Sequence, residues 1–127
     1  MNTLKQFLSF ATNIFQLVGF SQEEIKKNVH EVLLLLLQTT TVDKLEQYSQ
    51  EERKNIMQAL QSTSDVKELE NILESVFVDD SYEKLLQRNG RKILFGIAKQ
   101  IMKDLDSAQL EELEKLLLSV SKKFAMQ

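Results

Sequence analysis

Apolar residues recur at helical spacing along most of the chain, and changes in their phase divide it into successive amphipathic segments. The first apolar stripe predicts a helix over residues 3–18, and the next helix begins at the capping sequence Ser21-Gln22-Glu23-Glu24. Similar start signals occur at Ser49, within residues 62–64, at Asp80 and at Asp106. The pattern therefore predicts an all-α bundle of about six helices, whose short connections make most neighbouring helices antiparallel.

Six consecutive apolar residues, 32–37, leave part of the second helix without a polar side. We therefore expect this leucine run to be covered all round and to form the centre of the core. The apolar face also changes sides within the run, because Leu34 and Leu45 fall roughly opposite Val29. Either the helix passes through the centre of the domain, or it breaks at residues 39–41, where three successive threonines are mediocre helix formers.

A further stripe keeps one phase from Tyr82 to Ile101, although the turn dipeptide Asn89-Gly90 lies within it. The shared phase favours one long helix that ends near Leu105, and a turn at Asn89-Gly90 is the alternative. In a continuous helix, Gly90 would lie on the inner face, where the missing side chain lets another helix approach closely.

Composition supports a helical reading and sets the size of the domain. The chain has no Pro and three Gly, fewer turn residues than an all-β fold needs. Its 127 residues, 43% of them hydrophobic and 28% charged, predict one globular domain over residues 1–127. The absence of Cys excludes disulfides and thiolate chemistry and fits a reducing, cytoplasmic location. Polar residues interrupt the apolar N-terminal segment, so we predict neither a secretion signal nor a membrane span.

Signals for catalysis or metal binding are absent from the sequence. His30 is the only histidine, and Lys27 occupies the position where a Glu-x-x-His metal motif needs its carboxylate. The adjacent acids Asp79 and Asp80 are typical of a helix start. No glycine-rich phosphate loop, nucleophile elbow or zinc-protease motif occurs. We therefore predict a protein that is not an enzyme and has no cofactor and no metal, while a catalytic site assembled from distant residues is one alternative.

Charge separates two neighbouring segments. Residues 65–80, which include a predicted fourth helix at 65–77, carry six acids against one lysine. The following helix reverses the sign, because its outer side is predicted to carry six cations: Lys84, Arg88, Arg91, Lys92, Lys99 and Lys103. Cations spaced four apart repel one another along a helix, so we expect a group outside the helix to balance them. The candidates are the preceding acidic helix, the acids that follow Asp104, solvent or a partner.

These features favour a non-catalytic helical module for protein–protein interaction or assembly. Its candidate contacts are the six cations together with Phe10 and Leu17, which widen the apolar stripe of the first helix. Binding of nucleic acid by the basic helix at residues 82–105 is an alternative that we rank lower. The net charge is −3, the last helix is acidic at its start, and we expect no aromatic residue among the cations.

Overall fold

The computed structural model describes residues 2–46, 48–62, 65, 67–68, 71 and 80–124, and most of these residues lie in helices. Within these residues there are five α-helices: α1 (Asn2–Leu17), α2 (Gln22–Leu45), α3 (Gln50–Gln61), α4 (Asp80–Ile101) and α5 (Ser107–Lys123). A 3-10 turn at Met102–Asp104 follows α4. The all-α prediction is confirmed, with five helices rather than about six. Most of the predicted fourth helix, residues 65–77, lies outside the described residues.

Local capping chemistry sets the helix starts that the sequence predicted. The Ser21 side chain accepts a hydrogen bond from the Glu24 backbone N–H at 3.2 Å, and the Glu24 carboxylate accepts one from the Ser21 N–H at 3.1 Å. Asp106 and Gln109 make the same reciprocal pair at the start of α5, at 2.8 and 2.9 Å. Gly19 follows α1 with a φ of +83°, a conformation that costs glycine little.

Helices α2 and α4 are both continuous at the positions where the sequence left a break open as an alternative. Helix α2 passes through residues 39–41, where the Thr41 hydroxyl donates to the Leu37 carbonyl at 2.6 Å and both Thr40 and Thr41 are buried. Helix α4 passes through Asn89-Gly90. A Cβ atom on Gly90 would lie 3.3 Å from Cδ2 of Phe7, which confirms the inner position and the close approach predicted for this glycine.

The leucine run of α2 is not enclosed on all sides. Leu33, Leu36 and Leu37 are buried, but Leu35 is 49% exposed and Val42, two turns further on, is 54% exposed. The expectation that the run is covered all round is therefore wrong at Leu35. The physical reason is that α2 packs with one side against α1 and α4, so the opposite side faces outward.

Helix α1 contributes a large share of the buried core, although its opposite side is exposed. It packs against α2, α4 and α5. Phe7, Ala11 and Ile14 have no exposed surface, and the polar residue Thr3 is also buried. The hydroxyl of Thr3 donates to the Glu83 carboxylate at 3.0 Å, which satisfies it at the edge of the core.

Pairwise contacts define the directions of α1, α4 and α5. Thr3 contacts Glu83 and the Phe7 ring lies beside Gly90, so α1 and α4 run in the same direction. The other end of α1 meets the start of α5, where the Gln109 side chain donates to the Leu17 carbonyl at 2.9 Å. Phe10, nearer the start of α1, packs on Phe124 beyond the end of α5, so these two helices are antiparallel.

Helix α3 lies at the edge of the bundle. Ile56 and Met57 are half-buried against the core, while residues 50–55 are exposed. The Arg53 guanidinium donates to the carbonyls of Tyr48 and Glu46, which closes the turn between α2 and α3. Among the described helices, none combines the length and the apolarity that crossing a bilayer requires.

Candidate functional site

Five cations of α4 form one outward-facing strip, which we name the basic ridge. At about 100° per residue, they fall within an arc of about 100° on the helix. The opposite side of α4 carries the buried residues Tyr82, Leu86 and Leu94, so core packing of that side turns the cations outward. The members of the basic ridge are Lys84, Arg88, Arg91, Lys92 and Lys99.

The basic ridge is long and free of acids. From Lys84 to Lys99 it spans about 22 Å at 1.5 Å per residue, and no acidic residue occurs between Glu83 and Asp104 in the sequence. Arg91 is half-buried and the other four members are exposed. Lys103 is also exposed, but it lies beyond α4 in the 3-10 turn. The ridge therefore presents a continuous row of positive charge to solvent.

One cation of the ridge contacts an acid on another helix. Arg88 Nη2 lies 3.6 Å from Oδ2 of Asp43 on α2, and both side chains are part-exposed. The same Asp43 oxygen accepts a hydrogen bond from Asn89 Nδ2 at 3.0 Å. Among the described residues, this is the ion pair that the ridge forms with another helix. Asp43 is not among the acids at residues 65–80 or after Asp104 that were the sequence candidates, because it is distant from α4 along the chain.

An aromatic residue lies within the basic ridge, contrary to our expectation. Phe95 falls near the middle of the arc and is half-buried. The guanidinium carbon of Arg91 lies 5.5 Å from the centroid of the Phe95 ring, within the range of a cation–π contact. The signal was visible in the sequence, because Phe95 is four residues after Arg91 and four before Lys99 and therefore shares their face.

A buried polar layer lies beneath the ridge, between α2 and α4. Asn89, 4% exposed, donates to the Thr40 hydroxyl at 3.2 Å as well as to Asp43. Tyr82 is also buried, and burial raises the pKa of its hydroxyl, while the Thr41 side chain lowers this pKa in part. The sequence pattern favoured a helix through Asn89 but gave no sign of this layer, because its partners on α2 are distant along the chain.

The two apolar site candidates lie in different environments. Phe10 is only 8% exposed, and its ring centroid is 5.7 Å from that of Phe124 in an edge-to-face contact. The prediction that Phe10 offers a partner contact is therefore corrected, because the chain's own core covers it. Leu17 is half-buried against the same core.

Elsewhere in the described residues, the side chains that could bind a metal or take part in catalysis are dispersed. No three histidine or acidic side chains among them converge in a geometry that would hold a metal ion. His30 is exposed and borders an open depression on α2 together with Glu31 and Lys27. Asp80 begins α4, and Asp79 lies outside the described residues. Comparisons of the chain with protein-family models, with curated proteins and with solved structures returned no match.

Proposed function

We propose that this chain is a non-catalytic interaction module and that its basic ridge binds an acidic segment of a protein partner. The observation that carries the proposal is the outward-facing row of five cations on α4, with no acid between Glu83 and Asp104. Like charges at this spacing repel one another within the free protein. A partner that brings acids to the ridge removes this repulsion and gains electrostatic steering toward its site.

Charge elsewhere in the molecule favours a compact acidic partner over an extended polyanion. The chain as a whole has a net charge of −3, so the residues outside the basic ridge carry a net negative charge. This net negative charge repels an extended polyanion such as a nucleic acid or an anionic membrane. A short acidic helix can match the cations, because acids four residues apart on a helix have the same spacing as Lys84, Arg88 and Lys92.

Binding of a fluorescent polyglutamate peptide tests the proposal. The triple variant Arg88→Gln/Lys92→Gln/Lys99→Gln should bind this peptide about tenfold more weakly than the wild type, if each exposed ion pair contributes about 0.5 kcal/mol. Binding by the wild type should also weaken steeply as salt is raised from low to physiological concentration.

A matched variant separates the ridge from overall charge. Lys26→Gln/Lys27→Gln/Lys122→Gln removes three exposed cations outside the ridge and causes the same change in net charge. This control should retain most of the wild-type affinity for polyglutamate. Equal losses in the two triple variants would show that net charge alone drives binding and would reject the ridge as the site.

Nucleic-acid binding is a second candidate function, and Phe95 is the observation that favours it. An aromatic ring beside cations can stack a base of a single strand. If a single-stranded oligonucleotide is the ligand, Phe95→Leu should weaken its binding several-fold, since base stacking is worth about 1–3 kcal/mol. Polyglutamate has no bases, so its binding should be unaffected by the same substitution.

The remaining parts of the proposal concern catalysis, self-association and location. That the module is non-catalytic and cytoplasmic remains a prediction from a sequence without a recognised catalytic motif and without cysteine. In self-association, the partner of the module would be a second copy of the same chain. Light scattering over a range of protein concentrations would detect self-association directly.

A further inference from the structure

We infer that Arg88 is a carboxylate-binding subsite of the basic ridge, that Asp43 occupies it in the free protein, and that a carboxylate of the acidic partner replaces Asp43 on binding. This inference rests on the proposed function and identifies the chemistry of one position within that site. It also assigns to Asp43 the role of an internal competitor.

The contact between Arg88 and Asp43 is loose and accessible. The separation of 3.6 Å exceeds the 2.7–2.9 Å of a charge-assisted hydrogen bond between nitrogen and oxygen. The two side chains are 46% and 35% exposed, so a ligand in solution can reach both of them. A guanidinium can bind a carboxylate through two parallel N–H donors, which a single contact at 3.6 Å does not use. A partner's carboxylate can therefore bind Arg88 more closely than Asp43 does.

The buried polar layer keeps Asp43 in place beside Arg88. Asn89 donates to Oδ2 of Asp43 at 3.0 Å, and this is the same oxygen that faces Arg88. Asn89 is itself held by its second hydrogen bond, to the Thr40 hydroxyl. Because Asn89 is 4% exposed, a ligand at the surface does not compete for it. When a partner's carboxylate binds Arg88, the guanidinium therefore turns away from Asp43, which breaks the exposed ion pair and leaves both hydrogen bonds of Asn89 intact.

Removal of the Asp43 charge should consequently tighten the binding of an acidic ligand. In Asp43→Asn, the new amide oxygen can still accept the hydrogen bond from Asn89, while the competing negative charge is lost. We expect the affinity for the polyglutamate peptide to rise about two- to fivefold, the range that corresponds to one exposed ion pair. Glu31→Gln is the matched control, because it removes one exposed carboxylate from the same helix.

A double-mutant cycle tests whether Asp43 acts through Arg88. The gain in affinity from Asp43→Asn should disappear when Arg88 is already replaced by Gln. Thermal unfolding of each variant establishes that it is folded at the temperature of the binding measurement. Asp43→Ser, which also keeps a hydrogen-bond acceptor, provides a second neutral variant in case the amide disturbs the packing.

The outcomes distinguish this inference from the proposed function. Absence of polyglutamate binding by the wild type, or binding insensitive to the ridge triple variant, would overturn both. Ridge-dependent binding that Asp43→Asn and Asp43→Ser tighten no more than Glu31→Gln would overturn only the inference. A gain seen with a single-stranded oligonucleotide but not with polyglutamate would assign Arg88 to phosphate and would overturn the carboxylate subsite.

Discussion

Two adjacent residues, Asn89 and Gly90, illustrate how a local signal can be outweighed by packing. As a dipeptide they are typical of a turn, yet α4 passes through both. Asn89 supplies the hydrogen bonds that link α4 to Thr40 and Asp43. Gly90 provides the space into which the Phe7 ring packs. Both residues therefore serve contacts between helices, and neither requires a bend in the chain.

The two glycines of α4 allow a direct test of this close approach. Gly96→Ala should raise the free energy of unfolding by about 0.5–1 kcal/mol, because alanine favours a helix and nothing lies within 4 Å of the new Cβ. Gly90→Ala should lack this gain, because its Cβ would lie 3.3 Å from the fully buried Phe7 ring. Urea unfolding measures both values. Equal stabilisation by the two substitutions would contradict the packing role of Gly90.

At the scale of helices, α2 and α4 show what a hydrophobic pattern can and cannot establish. The constant phase of α4 indicated a continuous helix, because core contacts on one side require that phase. The apolar run of α2 suggested complete enclosure, but composition does not reveal how many neighbours surround a helix. Helix α2 has neighbours on one side, so Leu35 and Val42 remain exposed.

Adjacent leucines of the run should therefore respond very differently to truncation. Leu36→Ala should lower the free energy of unfolding by about 2–5 kcal/mol, because Leu36 is completely buried and its loss leaves a cavity. Leu35→Ala should change it by less than about 1 kcal/mol, because half of its surface is already exposed. Chemical denaturation of the two variants gives the comparison. Similar losses of unfolding free energy in the two variants would indicate that the leucine run is enclosed on all sides.

At the scale of the whole molecule, charged, polar and apolar side chains lie in successive layers. The basic ridge faces solvent, the polar layer with Asn89 and Tyr82 lies between α2 and α4, and the phenylalanines of α1 fill the core behind it. Polar groups within this layer contact one another across helices, as Asn89 does with Thr40. Such contacts restrict how α2 and α4 can slide past each other, because a shift would leave buried donors without acceptors.

Burial of Tyr82 makes the stability of the molecule sensitive to alkaline pH. Above about pH 10, the ordinary pKa of tyrosine, the unfolded chain ionises Tyr82, while burial keeps the folded phenol neutral because its pKa is raised. Ionisation then stabilises the unfolded state. The contribution of Tyr82 to the free energy of unfolding is therefore complete below about pH 10 and is lost as pH rises further. Tyr82→Phe should therefore show a shallower alkaline fall in the free energy of unfolding. Parallel curves for the variant and the wild type would contradict this coupling.

The sequence by itself determined the helical class, the main helix starts and the outward direction of the α4 cations, and it favoured the continuity of α4. These features depend on periodicity and on capping contacts three residues apart, such as Ser21 with Glu24. Only the tertiary structure decided that α1 packs against three other helices, that Leu35 is exposed, and that Asp43 and Asn89 lie together beside Arg88. The physical reason is range, because these contacts join residues on different helices and no local pattern specifies which faces meet.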